Sequence, residues 1–434
     1  MTDAAISAPA KGVRSRRNAL GLCLLACMLL GGGTHRALLA DAVLQIFVIA
    51  ASGYALMNGS WNTATRCGAA LLACMAALAI FQIAPLPLGL LEMSRPEGLL
   101  PFTGAGAPVT LASVSLSISR TVDAAIFAMT PVVFFIALSS LPRGSALNLV
   151  PFFMIGLLCN LVAAGLQYSF SGEANLGDLL GYDVMVGMFA NRNHFATLVF
   201  SSIPLIIYFG FFQGRALVAT LTVALIFLVL LAAGSRAGIL IGLGVLVVSV
   251  GSLLWRGRLG AITMAALFAI VLAFSYGALV KVGSREFDPN FGRLEFAETT
   301  WRAVKQNWLL GAGFGTFDLV YPFYENPEMV FPEYVNHAHN DFLEVALEGG
   351  VAAVVLFLAY VAMAARRVAQ VGRQPLGRLV FLSILVILLH SVVDYPLRTM
   401  AIAMIFAFLN ALLFSDVPVE KPAPAKKRSR SGSA

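Results

Sequence analysis

Residues 217–254 are about 38 residues long and carry one charge, Arg236. No other feature constrains the chain as much. A helix needs about 20 apolar residues to cross about 30 Å of hydrocarbon, so this stretch suffices for two crossings with the arginine at the turn between them. A second run, 379–393, has no formally charged residue either. Neither run alternates apolar and polar residues as the strands of a membrane barrel would. Over the 434 residues, 59% are hydrophobic and 12% charged, roughly half the ~25% charged share of a soluble domain. A water-soluble fold could not cover that much apolar surface. The chain therefore reads as all-α, a polytopic integral membrane protein.

Twelve spans are expected, at 19–33, 37–57, 66–84, 121–141, 148–168, 195–212, 217–234, 237–254, 261–280, 340–364, 379–395 and 399–415. An even count puts both termini on one side. The turns on that side then carry Arg66, Arg143, Arg215, Arg256, Arg258, Arg366, Arg367, Arg373 and Arg378 and almost no acids, as cytoplasmic loops do. Residues 1–18, with Lys11, Arg14, Arg16 and Arg17 ahead of an apolar run, read as a cytoplasmic tail before an uncleaved first span. Residues 19–415 read as the membrane domain, and 416–434 as a disordered, basic, cytoplasmic tail. The net charge of +7 is thus a matter of topology, and no nucleic-acid partner is expected. The five cysteines are odd in number and lie in or beside apolar spans, so they suggest neither a disulfide framework nor a metal knuckle.

The opposite, outer face receives the segments 85–120, 169–194 and 281–338, and the last is the longest polar stretch. Within it, Phe291 to Trp308 reads as an amphipathic helix. Leu294, Ala297, Trp301, Val304 and Trp308 recur at helical spacing, and two tryptophans suit a membrane interface. This helix is expected to lie on the membrane surface as a lid over a cavity. The glycine-rich Gly311-Ala312-Gly313-Phe314-Gly315 follows no strand, so it reads as a helix stop and turn rather than a nucleotide cradle.

Ionisable groups at that outer boundary are costly and call for a partner or a task. Arg236, flanked by Gly234 and Gly238, reads either as a snorkelling anchor or as an uncovered fork for phosphate oxygens. In Asn336-His337-Ala338-His339-Asn340-Asp341-Phe342-Leu343-Glu344, two histidines at i, i+2 do not share a helix face, so a zinc pair is not suggested. There Asn336 or Asn340 can cap a helix with Asp341 and Glu344 in its first turn, and His339 can serve as a general base. Arg293 starts the amphipathic helix, with Arg302 and Lys305 further along. Asn191-Arg192-Asn193-His194 closes the second outer loop, and Asp394 and Arg398 bracket Pro396 as a structural ion pair or a substrate site. Several arginines and one histidine on a single face, with no acidic metal cluster, fit a reaction on an anionic, diphosphate, lipid-linked substrate that needs neither metal nor cofactor.

These residues resemble the bacterial O-antigen ligase and O-antigen/exopolysaccharide polymerase superfamily of membrane glycosyltransferases, over about 120–410. The resemblance rests on Ser235-Arg236-Ala237-Gly238, on Gly292-Arg293-Leu294 leading to Asn307-Trp308-Leu309-Leu310-Gly311-Ala312-Gly313-Phe314-Gly315-Thr316-Phe317, and on His339-Asn340-Asp341-Phe342-Leu343 leading to Glu348-Gly349-Gly350. The ligase branch carries a His-Asn and, after nine intervening residues, Gly-x-x-Gly/Thr/Tyr. His339-Asn340 and Gly350 match that spacing, but Ala353 holds the last place, which tilts the reading towards a polymerase. The resemblance implies an inner-membrane enzyme with a periplasmic site, moving a glycan from undecaprenyl diphosphate to a sugar hydroxyl. It implies His339 as the catalytic base or an acceptor-orienting residue, with Arg236 and Arg293 on the diphosphate; Arg192, Asn340, Arg302, Asp394 and Arg398 are expected as further substrate contacts. The acceptor would be a lipid-linked repeat or the lipid A core, with membrane lipids and polysaccharide assembly proteins as further partners. A lipid-linked oligosaccharide transporter and a structural scaffold are the competing readings. Against transport, mid-span positions are almost free of charge.

Overall fold

Apolar runs fold as helices because a backbone in hydrocarbon must satisfy its own N–H and C=O groups, which a helix does within one segment. The computed structural model describes residues 11–35, 38–92, 99, 110–169, 185–254, 291–329, 334–372 and 374–415. Within them lie α1 (Lys11–Leu30), α2 (Leu39–Leu56), α3 (Thr63–Ile83), α4 (Ile118–Ser140), α5 (Val150–Ser169), α6 (Arg192–Phe212) and α7 (Ala216–Ala233). There follow α8 (Arg236–Leu254), α9 (Phe291–Asn307), α10 (Asp341–Val371), α11 (Pro375–His390) and α12 (Met400–Phe414). Helices α2 to α7 and α10 make seven spans long and apolar enough to cross a membrane, and α8, α11 and α12 add shorter apolar helices. This is an all-α, multi-pass membrane protein. The expected span at 261–280 and the expected tail at 416–434 lie outside the described residues.

Helix α10 runs to Val371, beyond the expected 364, and two further boundaries differ from the sequence expectation. Helix α1 starts at Lys11, well inside the stretch read as a tail, because lysine and arginine are good helix formers. Arg16 on it is buried and donates to the Ala55 carbonyl of α2 at 3.3 Å. Helix α11 ends at His390 rather than near 395, and the turn that follows delivers Asp394 to the site described below.

Helix α6 is the centre of the bundle, with 83% of its span enclosed, and it packs against α7, α8 and α11. Close approach depends on small residues: a Cβ added at Gly238 of α8 would lie 2.7 Å from the Ala196 Cβ of α6. Gly242 likewise faces Phe227, whereas Gly244 faces open space. Turns 57–62, 141–149 and 213–215 gather at one end of the bundle. The connections around 84–92, 110–117, 185–191, 308–329, 334–340 and 391–399 gather at the other, called the site end here.

At the site end the segment read as outer loop 85–120 contains a small antiparallel pair, β1 (Pro85–Pro87) and β2 (Leu111–Ser113), with Leu86 opposite Ala112. A second apolar core forms there from Ala303, Val304, Ala312, Phe317, Tyr321 and Leu347. Helix α9 appears where the amphipathic pattern placed it, but its face is split. It packs on α10 and buries Thr299, Thr300, Ala303, Val304 and Asn307, while Leu294, Trp301 and Trp308 point outward and are more than half exposed. Small and threonine side chains let two helices approach closely, so they take the protein side and the tryptophans the outer one.

Helix α10 is broken at Gly350, at φ 59° and ψ −158°, a conformation open essentially to glycine alone. The break frees backbone groups, and the glycine-rich loop takes them. Ala312 N–H donates to the Leu347 carbonyl at 2.9 Å, Gly313 N–H to that of Glu348 at 3.0 Å, and Val351 N–H to that of Trp308 at 2.7 Å. Gly311 and Gly350 touch, and a Cβ on Gly350 would fall 2.6 Å from the Gly311 nitrogen. The two glycine motifs read separately in the sequence are two halves of one backbone joint.

Candidate active site

Asp394 is the hub of the site end. It is fully buried, and its two oxygens divide their partners. Oδ2 accepts from Asn193 Nδ2 at 2.9 Å and pairs with an Arg293 guanidinium nitrogen at 3.2 Å. Oδ1 accepts from its neighbour's backbone, Tyr395 N–H, at 3.0 Å, and faces His339 Nδ1 at 3.4 Å and His194 Nε2 at 3.6 Å. Burial alone would push this carboxyl up, but the imidazoles of His194 and His339 and the charge of Arg293 hold it well below the usual carboxylate range. It is a fixed negative charge.

Local folding explains how these groups meet. Asn191 caps α6 by accepting from Asn193 N–H at 2.8 Å, which sets Asn193 and His194 on the first turn. Asn193 in turn accepts from the Ser235 hydroxyl at 3.3 Å, and Ser235 accepts from Gly238 N–H at 3.2 Å. The start of α8 is thereby tied to the same carboxylate. Asn340 caps α10, its side-chain oxygen accepting from Phe342 N–H and Leu343 N–H at 3.0 Å each and its amide donating to the Val392 carbonyl at 2.9 Å. His339 sits just before that cap at φ 48°, the one non-glycine residue with positive φ among the described residues. Local strain of this kind is held only where surrounding contacts over-determine it. Those contacts are a stacked Phe296 from α9, ring centroids 5.7 Å apart, and an edge contact with Tyr395 at 5.0 Å. Burial, with Asp394 nearby, pushes the Tyr395 phenol up to about 12, so it remains a proton donor.

A second tier of charge lies beside the first. Arg398 reaches Glu344 at 3.1 Å, Glu348 at 2.8 Å and Asp341 at 3.8 Å. Burial opposes its charge, and the three carboxylates more than reverse that. Glu344 also pairs with His337 Nδ1 at 2.8 Å and accepts from Ala338 N–H at 2.9 Å, while Asp341 accepts from the Ser391 hydroxyl at 2.8 Å. Alongside this tier runs a cavity of about 1150 Å³. His337, Glu348 and Arg398 line it at the site end, and apolar residues such as Phe127, Phe357 and Phe406 line it deeper. It borders the Arg398 tier rather than Asp394 itself, and the His337 ring, 4.3 Å from that of Tyr395, is the link between them.

The residues singled out in the sequence separate into groups. His339, Arg293 and Asp394 come together. Asp394 and Arg398 do not form the expected mutual pair: only three residues lie between them, yet Arg398 turns to the carboxylates of α10 and Asp394 to histidines and Arg293. Asn340 spends its whole amide on the cap and on Val392. Arg302 bonds along its own helix, to Thr299 at 2.7 Å and Glu295 at 3.3 Å. Arg192 is exposed at the head of α6, and Arg236 opens α8, its side chain lying outside the description. Sequence reasoning passed over Tyr395, Glu348 and the acceptor role of Glu344. The spacing of Asp341, Glu344 and Glu348 at i, i+3, i+7, which shares a helix face, was the available signal.

Residues 221–358 match the O-antigen ligase family. Over that stretch the match supports the resemblance to the O-antigen ligase and polymerase superfamily. The matched ligase-family stretch contains Ser235, Arg236, Arg293, His339, Glu348 and Gly350, while Asn193, His194, Asp394 and Arg398 lie outside it. The hub thus joins the ligase-family stretch to segments on both sides of it. No curated protein matches the chain.

Proposed function

We propose that the protein transfers a glycan from undecaprenyl diphosphate to a sugar hydroxyl at the site end of the bundle, polymerising O-antigen or exopolysaccharide repeat units. The observation that carries this reading is the shared carboxylate of Asp394, which holds a histidine and an arginine side by side. With Nδ1–H directed at Asp394, His339 keeps Nε2 to accept the proton of the attacking hydroxyl. As the new C1–O bond forms, the bond from C1 to the phosphate oxygen breaks and its electron pair leaves with the diphosphate. Arg293, with Arg236 and Arg192, neutralises that charge without a metal ion. Arg398 and Asn340 position the loop rather than touch substrate. The deeper, apolar part of the cavity, lined by Phe127, Phe357 and Phe406, takes hydrocarbon of a lipid-linked substrate. The site end is periplasmic, and both termini are cytoplasmic.

Ligation of finished chains onto the lipid A core is the second reading, favoured by the name of the matching family. Glycan analysis separates the two in a deletion strain complemented with wild type, His339→Ala or Arg236→Ala at matched expression. Loss of long chains from both the surface and the lipid carrier, with single repeats kept, supports the polymerase. Long chains that accumulate on the carrier and never reach the core identify a ligase. Normal glycan in both variants removes the catalytic assignment.

A further inference from the structure

Beyond the base and the arginines, the site holds a buried group that the reaction outlined above does not use. His194 is wholly enclosed at the third position of α6. Neither ring nitrogen has a hydrogen-bond partner within the usual limit, and among the described residues its ion-pair partner is Asp394 Oδ1 at 3.6 Å. That is the oxygen that faces His339. The Tyr395 ring stands edge-on to both imidazoles, at 4.7 Å from His194 and 5.0 Å from His339. An enclosed imidazole without a close partner carries a desolvation cost that a phenylalanine or leucine in the same space would not, so apolar packing gives no reason for a histidine here.

We propose that His194 is a positioning residue for glycan transfer. Its Nε2 edge, 3.6 Å from Asp394 Oδ1, directs an N–H dipole at that oxygen and steadies the rotation of the carboxylate, so that Oδ1 faces His339 while Oδ2 faces Arg293 and Asn193. The carboxylate carries two tasks on opposite oxygens, and a partial rotation about its Cβ–Cγ bond would turn both oxygens away from their partners at once. Tyr395 N–H anchors Oδ1 from the backbone side, Asn193 and Arg293 anchor Oδ2, and His194 adds a side-chain point on Oδ1 against that rotation. The ionisable groups that face His194 include Asp394, His337, His339 and His390, and none of these belongs to its own helix. This inference rests on His339 as the base.

The test uses the full chain in nanodiscs, with lipid-diphosphate-linked glycan extracted from a strain lacking the gene. His194→Phe keeps the ring contact with Tyr395 and removes the donor, while His194→Gln keeps a donor. For His194→Phe the maximal rate is expected to fall about 10- to 100-fold, the loss usual when a partner one step behind a functional group is removed, with donor half-saturation within about twofold of wild type. His194→Gln is expected to recover most of the rate. Should His194→Phe not fold, His194→Met fills the space without a donor and replaces it. A wild-type rate without a donor at 194, a Gln variant no better than Phe, or a change confined to donor half-saturation each overturns the inference. His339→Ala is run in parallel. If it too retains the wild-type rate, the reading of His339 has failed; if it is dead while His194→Phe is fully active, only the role of His194 has.

Discussion

At Asp394 a single buried charge organises groups from four directions, and its behaviour with pH follows from that. A carboxyl held below its ordinary value of 3.8 contributes stability that is complete above that value and lost only as pH falls through the lower, folded one. The difference in melting temperature between wild type and Asp394→Asn in detergent should therefore be flat from about pH 5 to 8. A difference that shrinks across that window would mean that the carboxyl is not held ionised by its neighbours. Asn keeps the shape but cannot balance His339 as it gains a proton, so transfer should fall by roughly two to four orders of magnitude, as when the aspartate of a serine-protease triad is replaced. Arg398 behaves differently because its partners are three carboxylates. Arg398→Ala leaves Glu344 and Glu348 buried without their cation, a loss of about 3–5 kcal/mol. It should appear as lost folded protein on size exclusion rather than as a folded, inactive enzyme, and Arg398→Lys should not rescue a geometry built on a fork. In the sequence, Asp394 and Arg398 read alike as boundary charges close to one another. Only the turn around Pro396 sends them to different partners, and no linear spacing encodes that.

Helices were legible because each apolar run carries its own hydrogen bonding and its own exclusion of charge, so position and type follow from local sequence. Joints between them were not. The glycine-rich loop and the Glu348-Gly349-Gly350 break were both visible as strings, but their mutual pairing depends on backbone groups that become free only when α10 kinks. The small β1–β2 pair is legible to no pattern either, since two three-residue strands show no periodicity. The joint makes a sharp prediction. Gly350→Ala puts a side chain where φ is 59° and a neighbour's nitrogen is 2.6 Å away, which should cost about 1–3 kcal/mol from backbone strain alone. The loss should show as a lower melting temperature together with reduced transfer, because the loop it displaces carries α9 and with it Arg293. Gly244→Ala, facing open space in α8, is the matched control and should stay within about 0.5 kcal/mol of wild type. Equal melting temperatures for the two variants would show that the joint is not held by this contact.

Over the whole molecule, charge and chemistry segregate by end. Arg66, Arg143, Arg215 and Arg366 are exposed towards the end with the short turns, whereas the acids Asp318, Glu344, Glu348 and Asp394 gather at the site end. Helix α8 leaves the site end and finishes at Leu254, and α9 begins again at the site end with Phe291. Basic turns stay with the cytoplasm, so the site end should face outward. The chain offers an exposed probe position at each end, Glu328 at the site end and Gln213 in the turn between α6 and α7. With the five native cysteines replaced, Glu328→Cys should react with a membrane-impermeant maleimide in intact cells, and Gln213→Cys only after permeabilisation. The reverse pattern would place the Asp394 hub in the cytoplasm. There, nucleotide-activated sugars rather than lipid-diphosphate glycans would be the natural donors, and the glycan-transfer reading would have to be given up with the orientation. Labelling of both from one side would mean that the helices between them do not cross, since an odd number of crossings must separate two probes on opposite faces.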